Sequence, residues 1–176
     1  MAIATTPLSQ HAMIDTNVFI YALYPARPEY PAALYLREQA QDANAVFYAT
    51  PQMLAEFYST VTNPRRINPP LSIDWALQEV DNIQALAGLT LLPIPVEVVP
   101  RWVQLARQYR IGRSDIYDTQ IVATMLENEI RRIYTFNVND FTVYPDIGGF
   151  DTSSTLKVPP LKNFHVRLSR HALRWG

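Results

Sequence analysis

The chain contains no cysteine, which excludes disulfides, thiolate-bound zinc sites and cysteine nucleophiles. It also lacks any apolar run near the roughly 20 residues that a membrane-spanning helix needs. Its first residues carry neither the positive start nor the long apolar stretch of a secretory signal. We therefore expect a protein of the reducing cytoplasm that makes no membrane contact.

Lysine is scarce, and acidic residues are missing from one end of the chain. The two lysines are Lys157 and Lys162, and no acid follows Asp151, so residues 152–176 carry a charge of +5. Because the whole chain carries −1, residues 1–151 carry −6. An acidic body with a basic tail is typical of a protein that holds cations and contacts a polyanion, although a tail that is merely solvated has the same composition.

The rest of the composition is that of an ordinary globular protein. The 176 residues are 48% hydrophobic and 18% charged, which is enough for one domain with a substantial core. We expect one domain over residues 1–150, followed by a basic C-terminal extension over residues 151–176 that packs on the domain or trails from it.

Short apolar runs alternate with helical patterns along the chain. Strands are expected at Ala12–Ile14, Ala45–Tyr48, Leu89–Leu92 and Arg132–Thr135, with a late strand at Asn163–Leu168. Helices are expected from about Val18, from Tyr30, from Pro51 after a Thr50 cap, from Ser72 to a stop at Gly88, from Pro95 with an interruption at Pro100, and after a Ser114 cap. The alternation predicts an α/β fold whose mostly parallel sheet is covered on both faces.

The first strand ends in an acid. Asp15 follows the buried run Ala12–Ile14, and Asn17 is expected to cap the helix that begins at Val18. Ligands of open α/β sheets bind outside the carboxyl ends of the strands. Asp15 therefore stands where chemistry is usually carried out in this class of fold.

Other acids occupy equivalent positions. Glu56 lies among apolar residues after the second strand, Asp115 and Asp118 open a later helix, and Asp140 follows the fourth strand. In a parallel sheet these side chains lie along one edge, where their charges repel and raise one another's pKa values. Mg²⁺ or Mn²⁺ relieves such repulsion and activates water for attack on a phosphodiester. Each acid also has an ordinary structural explanation, such as a helix dipole, a turn or an arginine partner.

The ordered set of these motifs resembles the PIN domain and, within it, the VapC-like toxin ribonucleases of toxin–antitoxin pairs. The motifs are Asp15-Thr16-Asn17, an isolated Glu56, Asp118 followed by Thr-Gln-Ile-Val-Ala-Thr, and Thr135-Phe-Asn-Val-Asn-Asp140-Phe141. The resemblance spans about residues 11–145, and its strength lies in the order of the four motifs because no single one is specific.

The resemblance implies a three-layer α/β/α sandwich with a central, mostly parallel sheet. It also implies metal-dependent cleavage of RNA with Mg²⁺ or Mn²⁺ as the cofactor. The residues that it assigns to catalysis are Asp15, Glu56, Asp118 and Asp140. The metal ligands among them are Asp15, Asp118 and Asp140.

Auxiliary positions surround these acids, and the fourth acid is left open. Thr16 and Thr135 match positions that help to orient water at the metal ion. Many members of the family carry an acid where this chain has Asn137. Others carry the asparagine form, whose later acid Asp140 matches, and Asp115 is an extra acid that is able to replace the fourth.

The expected reaction is in-line attack by a metal-activated water on single-stranded RNA, which leaves a 5′-phosphate. Arg113, Arg131 and Arg132 are candidates for contacts with the RNA phosphates because they lie close in sequence to the acids or to the fourth strand. A toxin of this kind implies an antitoxin protein that inserts an arginine or an apolar helix near the acids. It also implies a homodimer, which we expect to form through the helices of residues 30–60.

Two other functions use the same residues. A catalytically degenerate relative would bind RNA or a protein partner, with Asn137 as the first acid lost. Phosphotransfer on an aspartate requires a lysine or a second acid beside the first. That alternative is disfavoured, because both lysines lie in the tail and Asp15-Thr16-Asn17 lacks the second acid.

Overall fold

The computed structural model describes the backbone of residues 11–151 and the side chains of residues 11–148. Five short strands alternate with six α-helices in this part of the chain. The strands are β1 (Ala12–Ile14), β2 (Phe47–Ala49), β3 (Leu89–Leu91), β4 (Arg132–Thr135) and β5 (Gly148–Asp151). The helices are α1 (Thr16–Tyr21), α2 (Tyr30–Gln39), α3 (Pro51–Val61), α4 (Ile73–Gln84), α5 (Val98–Tyr109) and α6 (Ile116–Glu127), with 3₁₀ turns at Arg113–Asp115 and Val138–Phe141.

The five strands form one parallel sheet in the order β3-β2-β1-β4-β5. The central strand is β1, whose Met13 pairs with Tyr48 of β2 on one side and Ile133 of β4 on the other. The three side chains of β1 are fully buried, because a parallel strand in the middle of a sheet is covered on both faces. The predicted α/β fold with a parallel central sheet is therefore confirmed.

The helices divide into two groups around the sheet. Helix α1 contacts both α2 and α3, and α3 contacts α4, whereas α5 packs against α6. The chain runs from β1 to β2 and β3 in one direction and then returns past β1 to β4. Since crossovers between parallel strands are right-handed, the helices before and after this reversal cover opposite faces. The reversal also leaves a crevice between the carboxyl ends of β1 and β4.

Local sequence signals set most helix boundaries. The Thr50 side chain accepts a hydrogen bond from the Met53 amide at 3.4 Å, and the Ser72 hydroxyl accepts one from the Trp75 amide at 3.3 Å. Both N-caps were expected from the sequence. Helix α5 runs unbroken through Pro100, because a proline in the first turn removes no intrahelical hydrogen bond. No helix among the described residues has the length and hydropathy to span a bilayer.

Two of the expected caps are wrong. Helix α1 begins at Thr16 rather than Val18, so Asn17 lies inside the helix and its side chain bonds elsewhere. Ser114 belongs to the 3₁₀ turn before α6, and the residue at the N-cap of α6 is Asp115, without a side-chain cap bond. In both places the helical turns begin before the expected cap residue, so that residue lies within a turn rather than in front of one.

The role expected for Gly88 is also wrong. Helix α4 ends at Gln84, before Gly88, so this glycine does not stop the helix. The Gly88 amide donates to the Ala40 carbonyl at 2.9 Å, and a Cβ at this position would overlap the Asp42 carbonyl oxygen. Glycine is therefore required by close backbone approach.

The sequence analysis did not predict strand β5, and one strand that it did predict lies outside the described residues. Strand β5 pairs with β4 at the sheet edge, although its Gly148-Gly149 start resembles a turn. The late strand expected at Asn163–Leu168 falls outside the described residues, as does the extension after residue 151. The domain division at residue 150 stays a prediction.

Candidate metal-binding active site

The crevice between β1 and β4 gathers the residues that the sequence singled out. Asp15 follows β1 directly, and its amide donates to the Tyr134 carbonyl of β4 at 3.0 Å. Thr135 is the last residue of β4. The parallel register of the two strands therefore brings Asp15 and Thr135 to the same sheet edge, although 119 residues separate them in the chain.

A buried hydrogen-bond network fixes the Asp15 carboxylate. Its Oδ2 atom accepts from the Asn17 amide nitrogen at 2.6 Å and from the Thr135 hydroxyl at 2.6 Å. Asn17 Nδ2 also donates to Thr135 Oγ1 at 3.0 Å, while Asn17 Oδ1 accepts from the Phe136 amide at 3.2 Å. A threonine hydroxyl has one proton, so Thr135 donates it to Asp15 and acts as an acceptor towards Asn17. One oxygen of Asp15 is thus held in a fixed orientation.

A second hydrogen bond ties α3 to the same site. The buried Thr16 hydroxyl donates to Glu56 Oε2 at 3.0 Å, across the contact between α1 and α3. Glu56 itself is exposed, so it stands at the rim of the crevice while one of its oxygens is anchored. Its charge raises the pKa of Asp15, which shows that the two carboxylates act on each other.

Burial and neighbouring acids perturb two carboxyl groups strongly. Burial is the main cause that raises the pKa of Asp15 to about 6; the Thr135 hydrogen bond opposes it, and the charges of Glu56 and Asp140 add to it. Burial also raises the pKa of Asp118 to about 7, and the charges of Asp15, Asp140 and Glu56 raise it further. Four carboxylates that are distant in sequence therefore share one electrostatic neighbourhood.

Among the candidates for the fourth acid of the site, Asp140 acts more strongly on the other acids than Asp115 does. Asp140 lies exposed in the 3₁₀ turn after β4, and its charge acts on both Asp15 and Asp118. Asp115 is exposed before α6 and is the weakest of the four charges that act on Asp118. Asn137 contributes through its backbone, because its amide donates to Thr135 Oγ1 at 2.9 Å.

The three candidate arginines lie in two separate parts of the fold. Arg113 is exposed in the 3₁₀ turn that precedes α6, close in sequence to Asp118. Arg131 and Arg132 lie at the beginning of β4, whereas the acids surround its end. Since three strand residues span about 10 Å, the structure does not bring these two arginines to the acids. Contacts of all three arginines with RNA phosphates stay predictions, with Arg131 and Arg132 reaching only phosphates that lie farther along the strand.

The donor set suits a hard divalent cation. Every charge that shifts the pKa of Asp118 belongs to another carboxylate, so the crevice concentrates negative charge. No group of three or more histidine, aspartate or glutamate side chains among residues 11–148 is arranged so that it could hold a metal ion together. Mutual repulsion separates such carboxylates, and Mg²⁺ needs only one or two of them because it keeps several waters. The residues therefore fit an open magnesium or manganese site.

Two positioning residues were missed or misassigned from the sequence. Asn17 was taken for a helix cap, yet it joins Asp15 to Thr135. Tyr144 is buried and its hydroxyl lies 2.7 Å from Thr119 Oγ1, one residue after Asp118. Because Thr119 donates to the Asp115 carbonyl at 2.9 Å, Tyr144 is the donor in this pair. A polar residue inside an apolar helix was the available signal for Asn17; Tyr144 had none.

Comparison with known proteins identifies the family. The family model of the PIN domain matches residues 12–145 of the chain. The curated ribonuclease VapC24 of Mycobacterium tuberculosis is 31% identical over 133 residues, which cover 73% of this chain and 88% of that protein.

Solved structures show the same fold at lower identity. The VapBC2 complex of Rickettsia felis, solved with a DNA fragment from the promoter of its genes, has a TM-score of 0.56 and 16% identity over 79% of this chain and 96% of that one. VapC20 of Mycobacterium tuberculosis, a toxin that cleaves the sarcin–ricin loop, has a TM-score of 0.55 and 15% identity over 73% and 92% of the two chains. The family match and the VapC24 relationship show that the chain belongs to the PIN-domain family.

Proposed function

We propose that the protein is a metal-dependent endoribonuclease that hydrolyses phosphodiester bonds in RNA and serves as the toxin of a toxin–antitoxin pair. The observation that carries this proposal is the hydrogen-bonded arrangement that fixes the Asp15 carboxylate at the ends of β1 and β4 and ties Glu56 to Thr16 beside it. The charges of Glu56 and Asp140 act on Asp15, and the charge of Asp15 acts on Asp118. A ribonuclease relative at 31% identity supports RNA as the substrate.

The proposed cofactor is Mg²⁺ or Mn²⁺, held by Asp15, Asp118 and Asp140. These hard oxygen ligands match both ions. When bound, such an ion lowers the pKa of water and stabilises the negative charge that develops on the attacked phosphate. The protein meanwhile supplies the orientation: Asn17 and Thr135 hold one Asp15 oxygen in place, and Thr16 holds one Glu56 oxygen.

Glu56 is the proposed residue that orients the attacking water. It is exposed at the rim, whereas Asp15 is buried beneath it. No pairing with a cation accounts for its position, since the ion pairs found in the described part of the chain join other acids. Its free oxygen is therefore available to accept a hydrogen bond from water in the crevice.

The proposed partners follow from the relatives. The structural neighbours include a VapBC complex and a toxin–antitoxin complex from Klebsiella pneumoniae, whose TM-score is 0.50. We propose a cognate antitoxin that covers the acidic crevice, a cytoplasmic location, and a homodimer formed through the helices of residues 30–60. Light scattering at micromolar concentration tests the dimer, and a monomeric mass would contradict it.

Cleavage of unstructured RNA in Mg²⁺ or Mn²⁺ tests the function directly. The wild-type protein should cleave, and Asp15→Asn should lose at least about a hundredfold in rate because a metal ligand is gone. The matched control is Asp81→Asn, which removes an exposed acid from α4 outside the crevice and should retain full activity. Metal-dependent cleavage that survives in Asp15→Asn would rule out this site, and RNA binding without any cleavage would favour the degenerate relative.

A further inference from the structure

An exposed aromatic ring stands beside the acidic crevice. Tyr117 exposes 62% of its surface, whereas every other Phe, Tyr and Trp side chain among residues 11–148 is buried or half-buried. It precedes Asp118 directly in the first turn of α6. The ring stays exposed although most apolar residues later in α6 are buried in the core, so its face is open to a ligand beside Asp118.

The geometry of α6 places Tyr117 on a defined side of Asp118. Successive residues of an α-helix are rotated by about 100°, so Tyr117 and Thr119 lie on opposite flanks of Asp118. The Thr119 flank is closed by the hydroxyl of the buried Tyr144 at 2.7 Å. Tyr117 therefore borders the open flank of Asp118.

The backbone at Tyr117 is also anchored to the helix that carries Glu56. The Gln52 side chain of α3 donates to the Tyr117 carbonyl at 3.4 Å, and Gln52 lies one helical turn before Glu56. This contact joins α3 to α6 across the rim of the crevice. The ring is thus held beside the acids by a structured backbone, while its own surface stays open to solvent.

A cationic side chain accompanies the ring. Arg113 is exposed in the 3₁₀ turn about one helical turn before Tyr117. An exposed aromatic ring and an exposed arginine on one short segment are a combination that binds single-stranded nucleic acid, because the ring stacks on a base and the guanidinium contacts a phosphate. A protein partner would also use a tyrosine, but RNA is the proposed substrate of this crevice, so a base of that RNA is the occupant that the position of the ring beside Asp118 in the chain favours.

We propose that Tyr117 is a stacking platform for an unpaired base of the substrate next to the bond that is cut, with Arg113 on the neighbouring phosphate. This inference rests on the proposed ribonuclease function and deepens it, because it restricts the substrate to RNA whose base beside the cleaved bond is unstacked. Stacking uses the π-face that every base has, so Tyr117 contributes affinity with little preference for sequence.

Binding to a non-cleaving protein tests the proposal separately from catalysis. In an Asp15→Asn background, affinity is measured by fluorescence anisotropy for a labelled single-stranded RNA of adenosine and uridine, and for an abasic oligomer of equal length. Tyr117→Ala should weaken binding to the RNA by at least about fivefold and leave the abasic oligomer unaffected. Tyr117→Trp should restore the affinity, because it restores the ring. Leu77→Ala, which removes another exposed apolar side chain on α4, is the matched control and should change neither affinity.

Equal affinities of Tyr117→Ala and its parent for the RNA, or equal losses on both oligomers, would overturn the stacking role. In the catalytic background, Tyr117→Ala should raise KM about fivefold while kcat is unchanged. Absence of cleavage by the wild-type protein would refute the proposed function, whereas the binding difference between the two oligomers would still decide the stacking proposal.

Discussion

The Thr135 hydroxyl is the side-chain group on which the orientation of Asp15 depends. It donates to Asp15 Oδ2 at 2.6 Å and accepts from Asn17 at 3.0 Å, with all three residues buried. The same hydrogen bond holds the pKa of Asp15 below the value that burial alone would give. A residue without this hydroxyl leaves buried polar atoms unpaired.

Replacement of Thr135 should therefore weaken both the fold and the metal site. We expect Thr135→Val to lower the free energy of unfolding by about 1–3 kcal/mol and the affinity for Mn²⁺ by about tenfold or more. Thr135→Ser keeps the hydroxyl and should restore most of the metal affinity. Urea denaturation and calorimetric titration with Mn²⁺ measure the two effects. Wild-type Mn²⁺ affinity in Thr135→Val would contradict the orienting role.

At the scale of elements, Gly88 shows what a close backbone approach requires. The segment that enters β3 passes so near the Asp42 carbonyl that no Cβ fits, and the obstructing atom is backbone. Gly88→Ala should lower the free energy of unfolding by about 1–3 kcal/mol, because the two segments must separate. Gly112→Ala is the control, since nothing lies within 4 Å of a Cβ there. Equal stability of the two variants would show that the segment adjusts freely.

An element could be predicted where the local sequence determines it, and could not where tertiary contacts do. Strand β1 and helices α3 and α4 were found because burial, caps and prolines are written into the local sequence. The boundary of α1 was misjudged because the side chain of Asn17 serves a residue of β4 rather than its own helix. Strand β5 was missed because its pairing with β4 is supplied by tertiary contact rather than by strand propensity.

At the scale of the whole molecule, the parallel topology made it possible to predict which edge of the sheet carries the site. The order of strands and helices places Asp15, Glu56, Asp118 and Asp140 at one edge, which a sequence pattern alone suffices to suggest. The distances between the acids and the separation of Arg131 and Arg132 from them depend on strand register. No local pattern encodes that register, so the sequence alone does not show how far these arginines lie from the acids.

The shared electrostatics predict how stability changes with pH in metal-free protein. The pKa of Asp118 rises from 3.8 to about 7 on folding, so folded protein binds this proton more tightly than unfolded chain does. Its favourable contribution is complete below about pH 4 and is lost as pH rises through about 7. Asp118→Asn cannot titrate and should therefore gain stability relative to wild type between pH 5 and pH 8.

Urea denaturation in the presence of a chelator measures this difference. The advantage of Asp118→Asn over wild type should be larger at the higher pH, because only the wild-type carboxyl group must become charged there. Addition of Mn²⁺ should remove the advantage, since the cation stabilises the charged form. An advantage that is independent of pH would mean that folding does not raise the pKa of Asp118.

If carboxylates distant in the sequence form one cation site, a crystal grown in Mn²⁺ should show the ion among them. We expect an anomalous difference peak within about 2.1–2.4 Å of carboxylate oxygens of both Asp15 and Asp118. The same peak should disappear in Asp118→Asn. Manganese bound elsewhere on the protein, with no peak between Asp15 and Asp118, would contradict the claim.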